Sequence, residues 1–192
     1  MKTRRVVVGL LLAAIALPAA ARDSFRFGIL PNLAAYKVTD PNGPVESTTG
    51  FAPLTAIMFA EAGRDGRLMF QGAYDSFSLN HSTTNIGQDV TSIRGDVSYQ
   101  MLVRVTRGWK PWFGVGLGYA NETYKDRYTL TSGGFLGTRY PDRTKSAFDV
   151  LINASSEWKV NKNWDMGVHL QLEQPTGSDS MRILRLGIYA VY

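Results

Sequence analysis

From Phe25 to the end of the chain, apolar and polar residues alternate with a period of two in eight separate segments. In 164–174, Trp164, Met166, Val168, Leu170 and Leu172 share one face, and Asp165, Gly167, His169, Gln171 and Glu173 share the other. In 146–160, Phe148, Val150, Ile152, Ala154, Trp158 and Val160 alternate with Asp149, Leu151, Asn153, Ser155, Glu157 and Lys159. In 91–105, Ile93, Val97, Tyr99, Met101, Val103 and Val105 alternate with Arg94, Asp96, Ser98, Gln100 and Arg104. Successive side chains of a strand point to opposite faces, so this period predicts strands. They are predicted over 25–37, 51–62, 67–79, 91–105, 111–124, 146–160, 164–174 and 181–192. No repeat stands out at solenoid periods. Prolines keep to loops and strand ends, except Pro31 and Pro53, which we place at bulges or ends.

The connections alternate in length. Thr39–Gly50 is long, Gly63–Gly66 tight, His81–Val90 long, Thr106–Lys110 tight, Lys125–Lys145 very long, Asn161–Asn163 tight and Pro175–Ser180 intermediate. An even number of strands with short turns at one end and long loops at the other is how single-chain outer-membrane barrels are built. Strands of this length also match a tilted membrane-crossing strand of about 9–11 residues plus an extension. The predicted class is therefore all-β, an eight-stranded antiparallel up-and-down transmembrane β-barrel. Alternation alone leaves open which face is inside, because a soluble barrel inverts it.

Two features favour the membrane. Trp109, Trp112, Trp158 and Trp164 all lie in or beside the two short turns Thr106–Lys110 and Asn161–Asn163. With Tyr192 they are expected to form an interfacial girdle at one barrel end, while Tyr36, Tyr74, Tyr119 and Tyr124 lie toward the other. The second feature is the C-terminus.

The other end of the chain carries an address. Met1–Arg5 is basic, Val6–Leu17 is apolar, Pro18 breaks the run, and Ala19, Ala20 and Ala21 offer small residues for cleavage before Arg22. Residues 1–21 thus read as a cleaved signal peptide, too short and too broken to span a membrane, and 22–192 as one barrel domain. Three of the five net positive charges sit on Lys2, Arg4 and Arg5, which leaves about +2 on the mature chain. That excess is too small for a nucleic-acid footprint. A 44% hydrophobic share without several runs of about 20 apolar residues excludes a helical membrane bundle. With no cysteine, disulfide scaffolds, Cys-ligated zinc, iron–sulfur clusters and thiol catalysis are excluded, and no metal or other cofactor is expected.

The last residues, Arg185-Leu186-Gly187-Ile188-Tyr189-Ala190-Val191-Tyr192, resemble the terminal-strand signal of outer-membrane barrels: a polar residue, a glycine, spaced apolar positions and a terminal aromatic. Ala190 is smaller than usual there, and Tyr replaces the commoner Phe. Over 22–192 the chain resembles the small eight-stranded outer-membrane barrels of Gram-negative bacteria. That class holds the adhesion/invasion type, the outer-membrane protein A type and the lipid A-modifying enzymes. The resemblance is architectural. It implies outer-membrane location, periplasmic termini, insertion by the barrel-assembly machinery and a monomer in contact with outer-membrane lipids, without choosing a function.

An eight-stranded barrel is filled by side chains. Arg94, Asp96, Arg104, Asp149, Glu157, Lys159, Asp165, His169, Glu173 and Arg185 are expected to form its polar core, with charges of both signs neutralising one another. Pairing around Asn161–Asn163 sets Lys159 opposite Asp165, Ser155 opposite His169 and Asn153 opposite Gln171. Gly114, Gly116 and Gly118 leave room for long side chains on the inward face. His81 and Ser82, with Asp75 or Asp89, are the candidates for acyl transfer on a lipid. Neighbours on an extended strand point apart, however, and the His-x-Ser-Asn pattern of lipid A deacylases is missing. Lys125, Arg127, Arg139, Arg143 and Lys145, interleaved with Tyr128, Phe135 and Tyr140, could meet lipopolysaccharide phosphates from the longest loop. The leading expectation is a non-enzymatic, plugged barrel whose loops serve structural, lipopolysaccharide-binding or adhesive interactions. A lipid A or phospholipid acyl hydrolase or transferase and a narrow conduit are the alternatives.

Overall fold

The computed structural model describes residues 25–52, 54–104, 111–177 and 181–192. The predicted signal peptide and Trp109 lie outside the described residues. Eleven strand segments follow one another: β1 (Phe25–Ile29), β2 (Asn32–Val38), β3 (Glu46–Ala52), β4 (Thr55–Glu61), β5 (Gly66–Leu79), β6 (Gly87–Leu102), β7 (Trp112–Leu130), β8 (Leu136–Arg139), β9 (Arg143–Lys159), β10 (Asp165–Pro175) and β11 (Arg182–Val191).

They build eight staves. β1 and β2 are one stave interrupted at Leu30 and Pro31, and β3 and β4 are a second, interrupted just before Thr55. Proline has no N–H to donate to a ladder, which explains the first break. Pairing survives it, since the Leu30 amide donates to the Thr55 carbonyl at 2.9 Å and the Pro31 carbonyl accepts from Ile188 at 3.2 Å. β8 is a short flap on the end of β7, turned at Gly134, whose φ of 78° suits a residue without a Cβ.

All pairings are antiparallel, and the ring closes between the first and last staves: Leu33 faces Leu186, and Gly28 faces Val191. Around the turn 160–164 the register is the expected one, with Lys159 opposite Asp165, Ser155 opposite His169 and Asn153 opposite Gln171. The inward glycines of β7 let its neighbours come close. A Cβ on Gly116 would sit 2.2 Å from the Val97 carbonyl oxygen, and one on Gly114 would sit 2.5 Å from the Asn153 side-chain oxygen.

The faces settle the inside–outside question. Exposed Phe113, Val115, Leu117 and Tyr119 of β7 continue into Phe148, Val150 and Ile152 of β9 and then into Val168, Leu170 and Leu172 of β10. The inward face of the same strands is polar and buried. This is an apolar belt on the outside around a polar interior. Several staves run further toward the long loops than the alternation predicts. β3 begins at Glu46, β6 at Gly87 and β9 at Arg143, and β7 continues to Leu130. The ladder there outlasts the belt: beyond Tyr119 the outward residues of β7 are Asn121, Thr123 and Lys125, so the outward face is polar and the apolar alternation that marks a strand fades.

Candidate functional site

The interior is stacked in layers from the short-turn end to the long-loop end. At the first rim, Arg26 pairs with Asp165 at 2.9 Å, Glu157 at 3.1 Å and Glu61 at 3.3 Å. Arg67, completely buried, lies between the rings of Phe59 and Trp112, with its guanidinium carbon 3.9 and 4.1 Å from their centres. It donates to Glu157 and Gln100, both at 2.7 Å, and to Ser155 at 3.1 Å. Around this pair of rings Leu30, Ile57, Met69, Tyr189 and Val191 form an apolar plate.

The waist is ionic. Arg185 donates to both oxygens of Asp75 (2.9 and 2.7 Å) and to Glu173 (2.7 Å) and Asn32 (3.3 Å). Arg94 pairs with Glu122 at 2.5 Å, Asp149 at 2.8 Å and Glu173 at 3.1 Å. Asp96 joins through Gln171, which donates to it at 3.4 Å and to Glu173 at 3.0 Å. Two guanidiniums therefore pair with four carboxylates, while the fifth, Asp96, is held only by Gln171 among the described residues, and one oxygen each of Asp96 and Asp149 has no hydrogen-bond partner. Buried ions persist only where partners offset their lost hydration, so each arginine bridges several acids.

Above the waist a second apolar plate contains Val38, Leu79, Val90, Met181 and Ile183. Its two tyrosines turn their hydroxyls down to the acids: Tyr36 donates to Asp75 at 2.9 Å, and Tyr124 donates to Glu122. A cap closes the long-loop end. Buried Arg127 donates to both oxygens of Asp40 at 2.9 Å, to the Pro141 carbonyl at 2.5 Å and to Gln88 at 3.2 Å. Arg143 lies 3.6 Å from Asp40 and over the Tyr124 ring.

Most of the residues expected inside are inside, but two are not. Arg104 projects beyond the last β6–β7 pair, Leu102 with Trp112, and is exposed beside Asp65 at 2.9 Å. Lys159 has the inward parity but ends β9 at the exposed rim, and Asp165 pairs with Arg26 instead. Parity describes only the ladder, and at its ends water replaces the opposite wall. The girdle also changes. Trp112 shares its parity with Gly114, Gly116 and Gly118 and is 8% exposed inside the barrel, whereas Trp158, Trp164 and Tyr192 are 44–49% exposed outside. Trp164 packs on Tyr192.

The catalytic alternative is not assembled. His81 stacks on Tyr128, with its Nε2 3.2 Å from the Asp126 carbonyl. The Ser82 hydroxyl accepts from the Asn85 and Thr84 amides and so serves its own loop. Asp75 is buried at the waist, and Asp89 accepts from Ser78. At mid-barrel, His169 contacts Gln171 at 3.1 Å, while Ser155 accepts from Arg67. Of the loop cations, Arg127 and Arg143 turn inward to Asp40, and Lys145 takes an inward position opposite Glu122. Lys125 and Arg139 remain exposed, facing Asp89 and Asp126. Arg67, Glu122 and Asp40 were not among the expected core residues. Glu122 has the parity of the β7 glycines and was legible; Arg67 was hidden because Leu68, Met69 and Phe70 are apolar on both faces of β5.

No family model matches the chain, and no curated protein sequence matches it. Solved structures do. Neisserial surface protein A (NspA) aligns with a TM-score of 0.56 at 13% identity over 87% of this chain and 95% of its own. OprG from Pseudomonas aeruginosa aligns at 0.54 and 9% identity over 88% and 96%. Ail, the attachment invasion locus protein of Yersinia pestis, aligns at 0.50 and 12% identity over 88% and 98%. The chain has the fold of the small eight-stranded outer-membrane barrels.

Proposed function

We propose that the protein is a non-conducting, non-enzymatic barrel of the Gram-negative outer membrane that works through its outer end as a monomer. After removal of residues 1–21, both termini and the short turns face the periplasm, and the long loops face outward. The C-terminal stretch ending in Tyr192 serves as its insertion signal for the barrel-assembly machinery. The outer end takes part in structural, lipopolysaccharide-binding or adhesive interactions. The observation that supports this reading is an interior filled with buried side chains within an apolar wall. Two apolar plates and three ionic layers succeed one another along the axis, and the waist arginines pair with acids from four strands: β5, β7, β9 and β10. Such an interior suits a rigid pedestal rather than a water path.

Two measurements test it. Purified protein in planar bilayers should give no steady open-channel steps, and stable single-channel steps would overturn the sealed core and favour a conduit. The chain has no cysteine, so Ser132→Cys, at the exposed tip between β7 and β8, supplies a unique label site. It should react on intact cells with a membrane-impermeant maleimide; reaction only after the outer membrane is opened would invert the orientation.

A further inference from the structure

The outer wall formed by β10, β11, β2 and β3 carries three successive rows of outward side chains. The first is large and apolar: Leu170, Leu186, Leu33 and Phe51 are register partners in turn. One step toward the long loops the row becomes Leu172, Leu184, Ala35 and Thr49. The change from large to small side chains opens a groove of about 570 Å³ along the wall. One step further, Arg182 stands directly opposite Lys37, and Ser47 stands opposite Lys37 on its other side. Both cations are exposed and line the groove.

Like charges directly opposite one another on one face of a sheet repel, and neither Arg182 nor Lys37 has an ion-pair partner among the described residues. On the opposite wall, the outward Lys125 instead faces Asp89. The unbalanced pair therefore sits where the apolar belt gives way to polar wall, directly above a groove of acyl-chain character.

We propose that Arg182 and Lys37 bind a phosphomonoester on the headgroup of an outer-leaflet saccharolipid, with one of its acyl chains lying in the groove over Ala35. Charge complementarity selects this occupant. A phosphomonoester carries close to two negative charges at neutral pH and matches two cations, whereas the phosphodiester of an ordinary phospholipid carries one. The guanidinium supplies a planar fork to the phosphate oxygens, the ammonium supplies a point charge, and the Ser47 hydroxyl is placed to donate. This assignment rests on the reading that the long-loop end faces outward. It gives that end a lipid-binding wall instead of lipid-binding loops, whose Arg127 and Arg143 are already engaged with Asp40.

The test is native mass spectrometry of the full mature barrel in detergent, titrated with bisphosphorylated lipid A, the same lipid dephosphorylated, and phosphatidylglycerol. Wild type should retain one lipid A. The double variant Lys37→Gln/Arg182→Gln should bind at least about tenfold more weakly, as should wild type with dephosphorylated lipid or phosphatidylglycerol, a difference set by the charge-assisted contacts. Lys125→Gln should stay within about twofold of wild type because its site lies on the other wall. Ala35→Trp fills the groove without changing charge and should also weaken binding. The substituted positions are exposed, and unchanged gel mobility before heating checks folding of each variant. The assignment is overturned if the double variant binds like wild type, if Lys125→Gln loses as much, or if the dephosphorylated lipid or phosphatidylglycerol binds as well as lipid A. Inverted labelling at Ser132→Cys would refute the orientation, and channel steps would refute the sealed core; neither result resembles a failed lipid titration.

Discussion

Arg185 is the group whose removal should cost the barrel most. It is completely buried and holds Asp75 through two hydrogen bonds of 2.9 and 2.7 Å and Glu173 through one of 2.7 Å. In Arg185→Met those acids keep, as a cationic partner among the described residues, only Arg94, 3.7 Å from Asp75 and 3.1 Å from Glu173. Breaking a buried ion pair by removing one partner costs on the order of 3–5 kcal/mol, because the other charge is left without compensation. That is about two to four powers of ten in the folding equilibrium. For an m-value of about 2 kcal/mol per molar, the urea midpoint should fall by about 2 M. The waist also predicts an asymmetry, because acids outnumber guanidiniums. Asp96→Asn removes a carboxylate with one unpartnered oxygen and one long 3.4 Å contact from Gln171. It relieves repulsion from its acidic neighbours, so stability should rise or change by less than about 1 kcal/mol. The assay is reversible urea unfolding in detergent micelles, followed by tryptophan fluorescence and by gel mobility without heating. An Arg185→Met midpoint equal to wild type, or an Asp96→Asn loss as large as that of Arg185→Met, would refute an ionic waist short of cations.

Three other substitutions probe the wall, the packing and the cap. Val168→Arg places a charge at the middle of the apolar belt on β10 and should cost about 2–4 kcal/mol or block insertion, read by urea midpoint and by membrane fractionation; tolerance would mean the faces are inverted. Gly116→Ala puts a methyl 2.2 Å from the Val97 carbonyl oxygen, so the β6–β7 ladder must part locally, lowering stability by about 1–3 kcal/mol in the same unfolding assay. Arg127→Ala leaves Arg143, at 3.6 Å, as the one cation on Asp40 among the described residues; limited proteolysis should then cut within 39–45 while the heat-modifiable gel shift of the barrel persists.

The architecture was legible in the chain because a barrel wall separates lipid from a side-chain core, and that contrast is written residue by residue as a period of two. The alternation on β6, β9 and β10, the tight connections at 62–65 and 160–164 and the register around the latter follow from local pattern alone. Pattern fails where the contrast fades. Past the belt the outward face is polar, so no apolar row marked the true starts of β3, β6 and β9 or the end of β7. On β5, apolar neighbours on both faces concealed Arg67.

Partnership was beyond the sequence for a different reason. Which acid meets which arginine depends on how eight staves close around one axis, and Arg185 meets Asp75 across 110 positions of chain. The same closure turned Trp112 from the expected girdle into a ring stacked on Arg67. It drew Arg127 and Arg143 from the expected loop surface into the cap, and it left Arg182 and Lys37 side by side on the wall. Alternation decides whether a side chain faces in or out, because that depends on two adjacent peptide units. Only the closed ring decides what it faces, because the opposite wall comes from strands far away in the chain.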